Sequence, residues 1–410
     1  MRATRVVVLG EFRADRLVPR LRRAGAEVVV LGFAELDGFL GPGVVCGRLP
    51  DTLGEPALMR LLDDHDADVA VPNMGCPGQE QFLPVYARAR SSLRGTGRRV
   101  HGHAEEFAVL ASDKVVLHRT AERRGWPVPL GVVCARAEAV RAAVRELGFP
   151  VLVKEARSEF HTGRHYVRDD ARLGRACGEV TYPVLVQRAV TGGEFAVELL
   201  SLPGRTVAWP VASLGRLDGD CAPGRRVRVA PAALPARARA ELTAVLGDIV
   251  ETHKPHGPWQ MDFAVDDGSG GIRVIELNGR LGGVSNMSRA ATGLDPHAAY
   301  ADTVLGRPLP RPPAARRVAL ELPMTPGAAL PPAPPGTELT PYPGNPGNPG
   351  PVHGGVQRAV LGVPADFPTE SVGDWLRALP PGVLLDAPEE AIAQLTRGAH
   401  ALRPVRRGGS

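Results

Sequence analysis

The sequence predicts a mixed α/β and α+β protein, an α/β unit with a mostly parallel sheet followed by units whose strands pair antiparallel. Three observations predict it. Apolar runs alternate with helical stretches through the first hundred residues. Two strand-like runs, 182–190 and 194–200, are separated only by Thr191-Gly192-Gly193, a spacing that suits a short turn or a crossing loop. Two more, 259–265 and 271–277, flank Asp266-Asp267-Gly268-Ser269-Gly270, a strong hairpin signal.

Taken in order, the apolar run 5–10, the helical stretch 14–24 and the run 27–32 form a first βαβ unit. A helix at 55–65, a strand at 67–72 and a helix at 78–93 continue it. The unit is Rossmann-like in pattern. Its first strand, however, ends in Gly10-Glu11-Phe12-Arg13-Ala14 without the GxGxxG that lets a pyrophosphate approach, so it reads as scaffold. Ser112 is the expected N-cap of a helix that has Asp113 in its first turn and runs to Arg124, where Gly125-Trp126-Pro127 stops it. A strand at 128–134, a helix at 137–147 and a strand at 150–156 follow. Past an arginine-rich loop at 216–228, a helix at 235–252 leads into the hairpin, and another helix begins near Val284. Residues 308–351 hold fifteen prolines, which predicts extended chain or loop, and a small unit at about 352–404 closes the sequence.

Composition narrows the function. A chain of 410 residues, 44% hydrophobic, suits two or three packed units. The net charge of +5 is spread with acids among the arginines, so no basic stripe for nucleic acid stands out. No apolar run reaches the roughly 18 to 20 residues of a membrane span, and the start is too short for a signal sequence; a cytoplasmic protein is expected. Five cysteines at irregular spacing contain no CxxC pair, which reads as free thiols. Of 49 basic residues only Lys114, Lys154 and Lys254 are lysine. A chain so biased towards arginine keeps lysine where a compact ammonium is needed. Lys254, in a helix-ending stretch, reads as a chance survivor.

The chemistry concentrates in the hairpin. Side chains alternate along a strand, so Glu276 and Asn278 share a face, and pairing can bring Asp262 beside them. Two carboxylates and an amide oxygen are hard ligands suited to Mg²⁺ held together with phosphates. The bland alternative is the polar face of a solvated hairpin, which fits poorly with the otherwise apolar run 272–277.

These residues resemble the ATP-grasp superfamily, over most of residues 1–305. Val274-Ile275-Glu276-Leu277-Asn278-Gly279-Arg280 looks like its magnesium-binding strand, typically Glu-x-Asn-x-Arg with an acid one strand earlier, here Asp262. Ser112-Asp113-Lys114, followed by Gly125-Trp126-Pro127-Val128-Pro129, is similar to the entry into the nucleotide domain. Pro150-Val151-Leu152-Val153-Lys154 is similar to the phosphate-contacting strand. Gln187-Arg188-Ala189-Val190 resembles the hinge that meets adenine through backbone groups, although that hinge usually begins with Glu, and Glu194 looks like the ribose carboxylate. The loop 158–165 occupies the place of the lid over the phosphates; it is bulky, and backbone N–H groups at Thr162 and Gly163 would cradle a phosphate.

The resemblance implies an N-terminal domain at 1–110, a small lid at 111–190, a larger metal-bearing antiparallel domain at 191–307, and a Pro/Gly-rich segment with a small C-terminal unit at 308–410. It implies ATP and Mg²⁺, two ions, with Mn²⁺ as a substitute. Lys114 and Lys154 would neutralise the triphosphate, and Arg280 would hold the acyl phosphate. Gly282 and Gly283, opening the next helix, would offer N–H groups to a substrate carboxylate. The Asn-x-Arg-x-Gly-Gly run most resembles amino acid ligases. The implied activity is therefore amide or peptide bond formation between a small-molecule carboxylate, an amino acid by this likeness, and an amine. Neither nucleic acid nor membrane is an expected partner, and a homodimer is compatible. A carboxylase acting through carboxyphosphate is the alternative within enzymes, although no Met-Lys biotin signature follows the core. A silent ATP-binding module is the alternative outside them.

Overall fold

The computed structural model describes residues 2–32, 40, 43–50, 52–73, 80–158, 163–217, 225–342 and 357–402. Three sheets organise them. The first is parallel, with Arg5–Leu9 at its centre between Glu27–Gly32 and Val69–Pro72, and Val45–Arg48 and Arg99–Val100 outermost. Val6, Val7, Val8 and Leu9 are all buried, as expected of a strand covered on both faces. The βαβ expectation holds here. Helices Ala14–Arg23, Glu55–Asp64 and Leu83–Ser92 supply the crossovers.

The second sheet is antiparallel, in the order Gly131–Cys134, Val184–Arg188, Val151–Glu155, Arg164–Val167. Helices Ala137–Leu147 and Asp170–Glu179 supply much of its core. The third is a nine-stranded sheet that begins with the hairpin Gly257–Asp266 and Ile272–Asn278 and continues through Gly192–Leu202, Ala212–Leu217 and Arg228–Ala230. Among the described residues no helix is long and apolar enough to cross a membrane.

Four points of the sequence are decided by the fold, the first between two open alternatives and the other three as corrections. Of the short turn or crossing loop that Thr191-Gly192-Gly193 allows, the crossing is present: residues 182–190 and 194–200 form strands of different sheets, and the chain crosses between them at Gly192, whose φ is 147°. A Cβ there would lie 2.0 Å from the Val265 carbonyl oxygen, so only glycine permits the crossing. Asp113, not Ser112, is the N-cap: its carboxylate accepts from the Val115 and Val116 N–H groups, while Ser112 ends the preceding helix Glu105–Ser112. The strand expected from 128 starts at Gly131, where pairing with Gln187 begins, and the chain just before it is tied to the hairpin instead, the Pro127 carbonyl accepting from the Val274 N–H at 2.8 Å.

The fourth concerns the proline-rich segment. It contains the strands Arg317–Met324 and Glu338–Tyr342, which with Gln357–Pro364 extend the nine-stranded sheet beyond Arg228–Ala230. Residues after 308 therefore carry part of the large sheet. Pro341 is tolerated because its strand lies at the sheet edge. Helices Thr369–Arg377 and Pro388–Leu402 cover the outer face of this extension.

Candidate active site

The site grows from one face of the large sheet. In register, Asp262 faces Glu276, Gln260 faces Asn278, Ala196 faces Asp262 and Glu198 faces Gln260. With side chains alternating, Glu194, Glu198, Gln260, Asp262, Glu276 and Asn278 all project from this face. Asp262 is clasped from both sides: the Asn278 amide donates to Oδ2 at 3.1 Å and the Gln260 amide to Oδ1 at 2.6 Å. Burial pushes Asp262 up to about 7, and the negative charges of Glu276 and Glu194 add to the shift. Burial also opposes ionisation of Glu276, but Lys114, Lys154 and Arg280 outweigh it and hold that carboxyl below its ordinary value.

A site in which one carboxyl ionises only with difficulty beside another is a site that a hard cation would relieve. The donor set therefore fits Mg²⁺. Among the described residues no group of three or more His, Cys, Asp or Glu side chains could hold a metal. Asp262, Glu276 and Asn278 would supply only part of a shell, with phosphate and water completing it.

The cations surround this rung. Lys114 Nζ lies 3.1 Å from Glu276 Oε1 and also donates to the Ser158 carbonyl. Lys154 is buried and donates to Gln187 Oε1 at 2.9 Å, and burial lowers its ammonium to about 7. Arg280 places Nη2 3.3 Å from Asn278 Oδ1, beside the Asp262–Glu276 rung, and its Nε meets the Glu80 carboxylate. Glu80 comes from the first unit, in the short helical turn Glu80–Phe82, and is buried. Sequence reasoning missed both Glu80 and Gln260. Neither belongs to a motif, and only the packing of the first unit on the hairpin brings Glu80 in.

Several expected ligand groups already have partners. Glu194 forms a buried ion pair with Arg226, so a ribose would have to displace it. The side chain of Gln187 is committed to Lys154, and its amide contacts His118 Nδ1 at 3.3 Å. The N–H groups of Arg188 and Ala189 donate to the Leu130 and Pro150 carbonyls, which narrows the expected hinge contacts to carbonyl groups and Val190. The Arg188 guanidinium turns outward to the Leu147 carbonyl. Gly282 does not offer a free N–H: it donates to Glu198 Oε1 at 3.3 Å, so the chain's own carboxylate occupies the place expected for a substrate's. A Cβ on Gly282 would lie 1.7 Å from Gln260 Oε1, which explains the glycine. Gly283 lies against Arg228. In the loop expected to act as a lid, Thr162 falls outside the described residues, and Gly163 has φ 59° with its carbonyl accepting from the Glu155 N–H.

No family model matches the chain. The large chain of carbamoyl phosphate synthase from Thermus thermophilus is 27% identical over 297 residues, which is 69% of this chain but 28% of that one. The chain thus spans little more than a quarter of that relative. In structure it is similar to the biotin carboxylase domain dimer of 2-oxoglutarate carboxylase from Hydrogenobacter thermophilus, solved with MgADP, ADP and bicarbonate (TM-score 0.68, 15% identity, 94% of this chain and 92% of that). It is also similar to L-amino acid ligase from Bacillus licheniformis (TM-score 0.63, 18% identity, 89% and 94%). The chain has the ATP-grasp fold.

Proposed function

We propose that this chain is an ATP-dependent ligase that activates a carboxylate as an acyl phosphate and passes the acyl group to an amine, releasing ADP and phosphate. The observation that carries the reading is the convergence, on one sheet face, of the Asp262–Glu276–Asn278 rung with Lys114, Lys154 and Arg280. When bound, Mg²⁺ and ATP supply the phosphoryl group and neutralise its charge.

The chain's own residues position and stabilise. Glu276 and Asp262 hold the cation side, and Lys114 then exchanges Glu276 for phosphate oxygens. Lys154, poised in a dry site, meets the triphosphate where its cation gains most. A substrate carboxylate oxygen attacks the γ-phosphorus and ADP leaves. The amine nitrogen then attacks the acyl carbon, the bond from that carbon to the phosphate oxygen breaks, and the amine loses a proton. Arg280, beside the rung, lies where the oxygen charge of that adduct develops. The Asn-x-Arg-x-Gly-Gly run favours an amino acid as the carboxylate, and the likeness to an amino acid ligase supports that choice.

The experiment incubates the protein with ATP, Mg²⁺ and pooled amino acids, amines and small acids, and looks for new masses together with phosphate release. With the active carboxylate labelled with ¹⁸O, one labelled oxygen should appear in the released phosphate, because the attacking oxygen leaves with it. Dependence on bicarbonate, or unlabelled phosphate from a demonstrated substrate, would replace this reading with a carboxylase acting through carboxyphosphate, the chemistry that the carboxylase neighbour makes the natural rival.

A further inference from the structure

The face that bears the metal rung continues past Arg228–Ala230 into the C-terminal strands. Arg228 faces Glu321 in register, and Arg358, two residues from the partner of Glu321, stands on the same side. Glu321 is buried, and its Oε2 lies 3.3 Å from the Nη1 atoms of both Arg228 and Arg358. Arg228 also touches the turn beside Arg280: its Nη1 is 3.4 Å from where a Cβ on Gly283 would stand. Arg228 is otherwise held within the fold and forms the floor of this corner.

The opposite wall comes from the first unit. Arg13 places its guanidinium carbon 5.5 Å from the ring centroid of Tyr342, the register partner of Arg358. Tyr342 lies in the field of Arg16, Arg289 and Arg13 together, opposed by Glu321. Arg13 sits past the carboxyl end of Arg5–Leu9, where the strand order of the first sheet reverses towards Val69–Pro72. That is the crevice where open α/β sheets take ligands. Asn73 fixes the approach by donating to the Gly10 and Phe12 carbonyls at 3.1 and 2.8 Å. Arg13 itself is held at φ 48°, a conformation that a non-glycine residue adopts at a cost of about 1–3 kcal/mol, and its buried Nε has no hydrogen-bond partner among the described residues. The side chains of Arg13 and Arg358 keep 13% and 17% exposure, so they are largely withdrawn from bulk water but not sealed from it.

We propose that this corner binds an anionic group, a carboxylate or a phosphate, carried by the amine substrate, with Arg13 and Arg358 as its two cationic arms. The inference rests on the ligase reading for the identity of the substrate, and on the geometry alone for the anion. Planar guanidinium forks recognise both oxyanions in two-point fashion. Burial disfavours the Arg13 cation, although Asp15 beside it partly offsets the penalty. A bound anion would relieve the remainder. The corner adjoins Arg280 through the Gly282-Gly283 turn, so a substrate anchored here would present its nitrogen towards the acyl carbon. It also gives the C-terminal strands a task in substrate selection.

The test uses the full chain with Mg²⁺ and a non-hydrolysable ATP analogue, so that the triphosphate positions are filled. Malonate or inorganic phosphate is titrated against sodium chloride of equal ionic strength, with thermal unfolding as readout. Wild type should be stabilised by malonate or phosphate in a saturable way, and the better of the two identifies the group. Arg358→Met and Arg13→Asn should each weaken the apparent affinity tenfold or more. Asn suits the left-handed backbone at 13, and retained binding of the analogue reports an intact fold. Equal stabilisation by chloride, or titrations unaltered in both variants, would show that Arg13 and Tyr342 only latch the units together. Trapping of the acyl phosphate by hydroxylamine, which carries no anionic group, tests the ligase reading separately. Hydroxamate without an anion effect sinks this proposal alone, whereas an anion effect with no carboxylate-dependent ADP sinks the ligase alone.

Discussion

Nucleotide binding should take up a proton through Lys154. The ammonium sits in a dry pocket where burial lowers it from 10.5 to about 7, which corresponds to about 5 kcal/mol withheld from the cation. At pH 8 a group titrating at about 7 is about one-tenth protonated. A triphosphate against it favours the charged form, so binding should draw about 0.9 proton from the buffer at pH 8 and only about 0.1 at pH 6. The sign is fixed by the direction of the shift: the base is depressed in the empty protein and restored by an anion, so uptake grows as pH rises above 7. Calorimetry of the Mg²⁺–ATP analogue in buffers of different ionisation enthalpy reads this directly, and Lys154→Met should abolish it. Gln187→Glu sharpens the test. A carboxylate oxygen 2.9 Å from Nζ would attract it by about 6 kcal/mol at an effective dielectric of about 20, comparable with the burial penalty, so the lysine should already be charged and the uptake lost. A binding enthalpy at pH 8 that is independent of buffer, or one with the same dependence in Lys154→Met, would refute the reasoning.

Three further outcomes are expected. Glu276→Gln keeps the shape of the rung but removes its best-ionised carboxylate, so substrate-dependent ADP formation should fall by about 10²–10³ with an unchanged melting curve; normal turnover would show that the metal ligand lies elsewhere. Gly282→Ala drives a methyl against Gln260, the residue that also clasps Asp262, so kcat should drop while analogue binding is retained, and wild-type kinetics would mean that the turn moves freely. Asp113→Ala removes the acceptor for two N–H groups at the start of Lys114–Arg124 and should cost about 1 kcal/mol, seen as a lowered denaturant midpoint; an unchanged midpoint would leave the cap without energetic weight.

What could be read from the sequence was what local pattern determines. Alternation placed Glu276 and Asn278 on one face, and the hairpin put Asp262 opposite Glu276, because strand period and turn chemistry act within a few residues. The scarcity of lysine singled out Lys114 and Lys154, and both flank the rung through contacts with Glu276 and Gln187. What escaped was set by pairing between distant segments. Nothing near Glu80 announces that it will meet Arg280, and the proline content of 308–351 hid strands that a sheet edge tolerates. Gly282 shows the limit most clearly. From sequence, a glycine pair opening a helix offers N–H groups to a ligand; in the fold, Glu198, eighty-four residues earlier, already accepts that N–H, and the glycine is required for clearance from Gln260. The fold gives this glycine a different reason, because a helix start specifies a donor while only tertiary packing specifies the acceptor. If substrate is anchored beyond this turn, at Arg13 and Arg358, then Glu198 holds the hinge between the metal rung and that anchor, and Gly282→Ala should impair the use of amine more than the trapping of acyl phosphate by hydroxylamine.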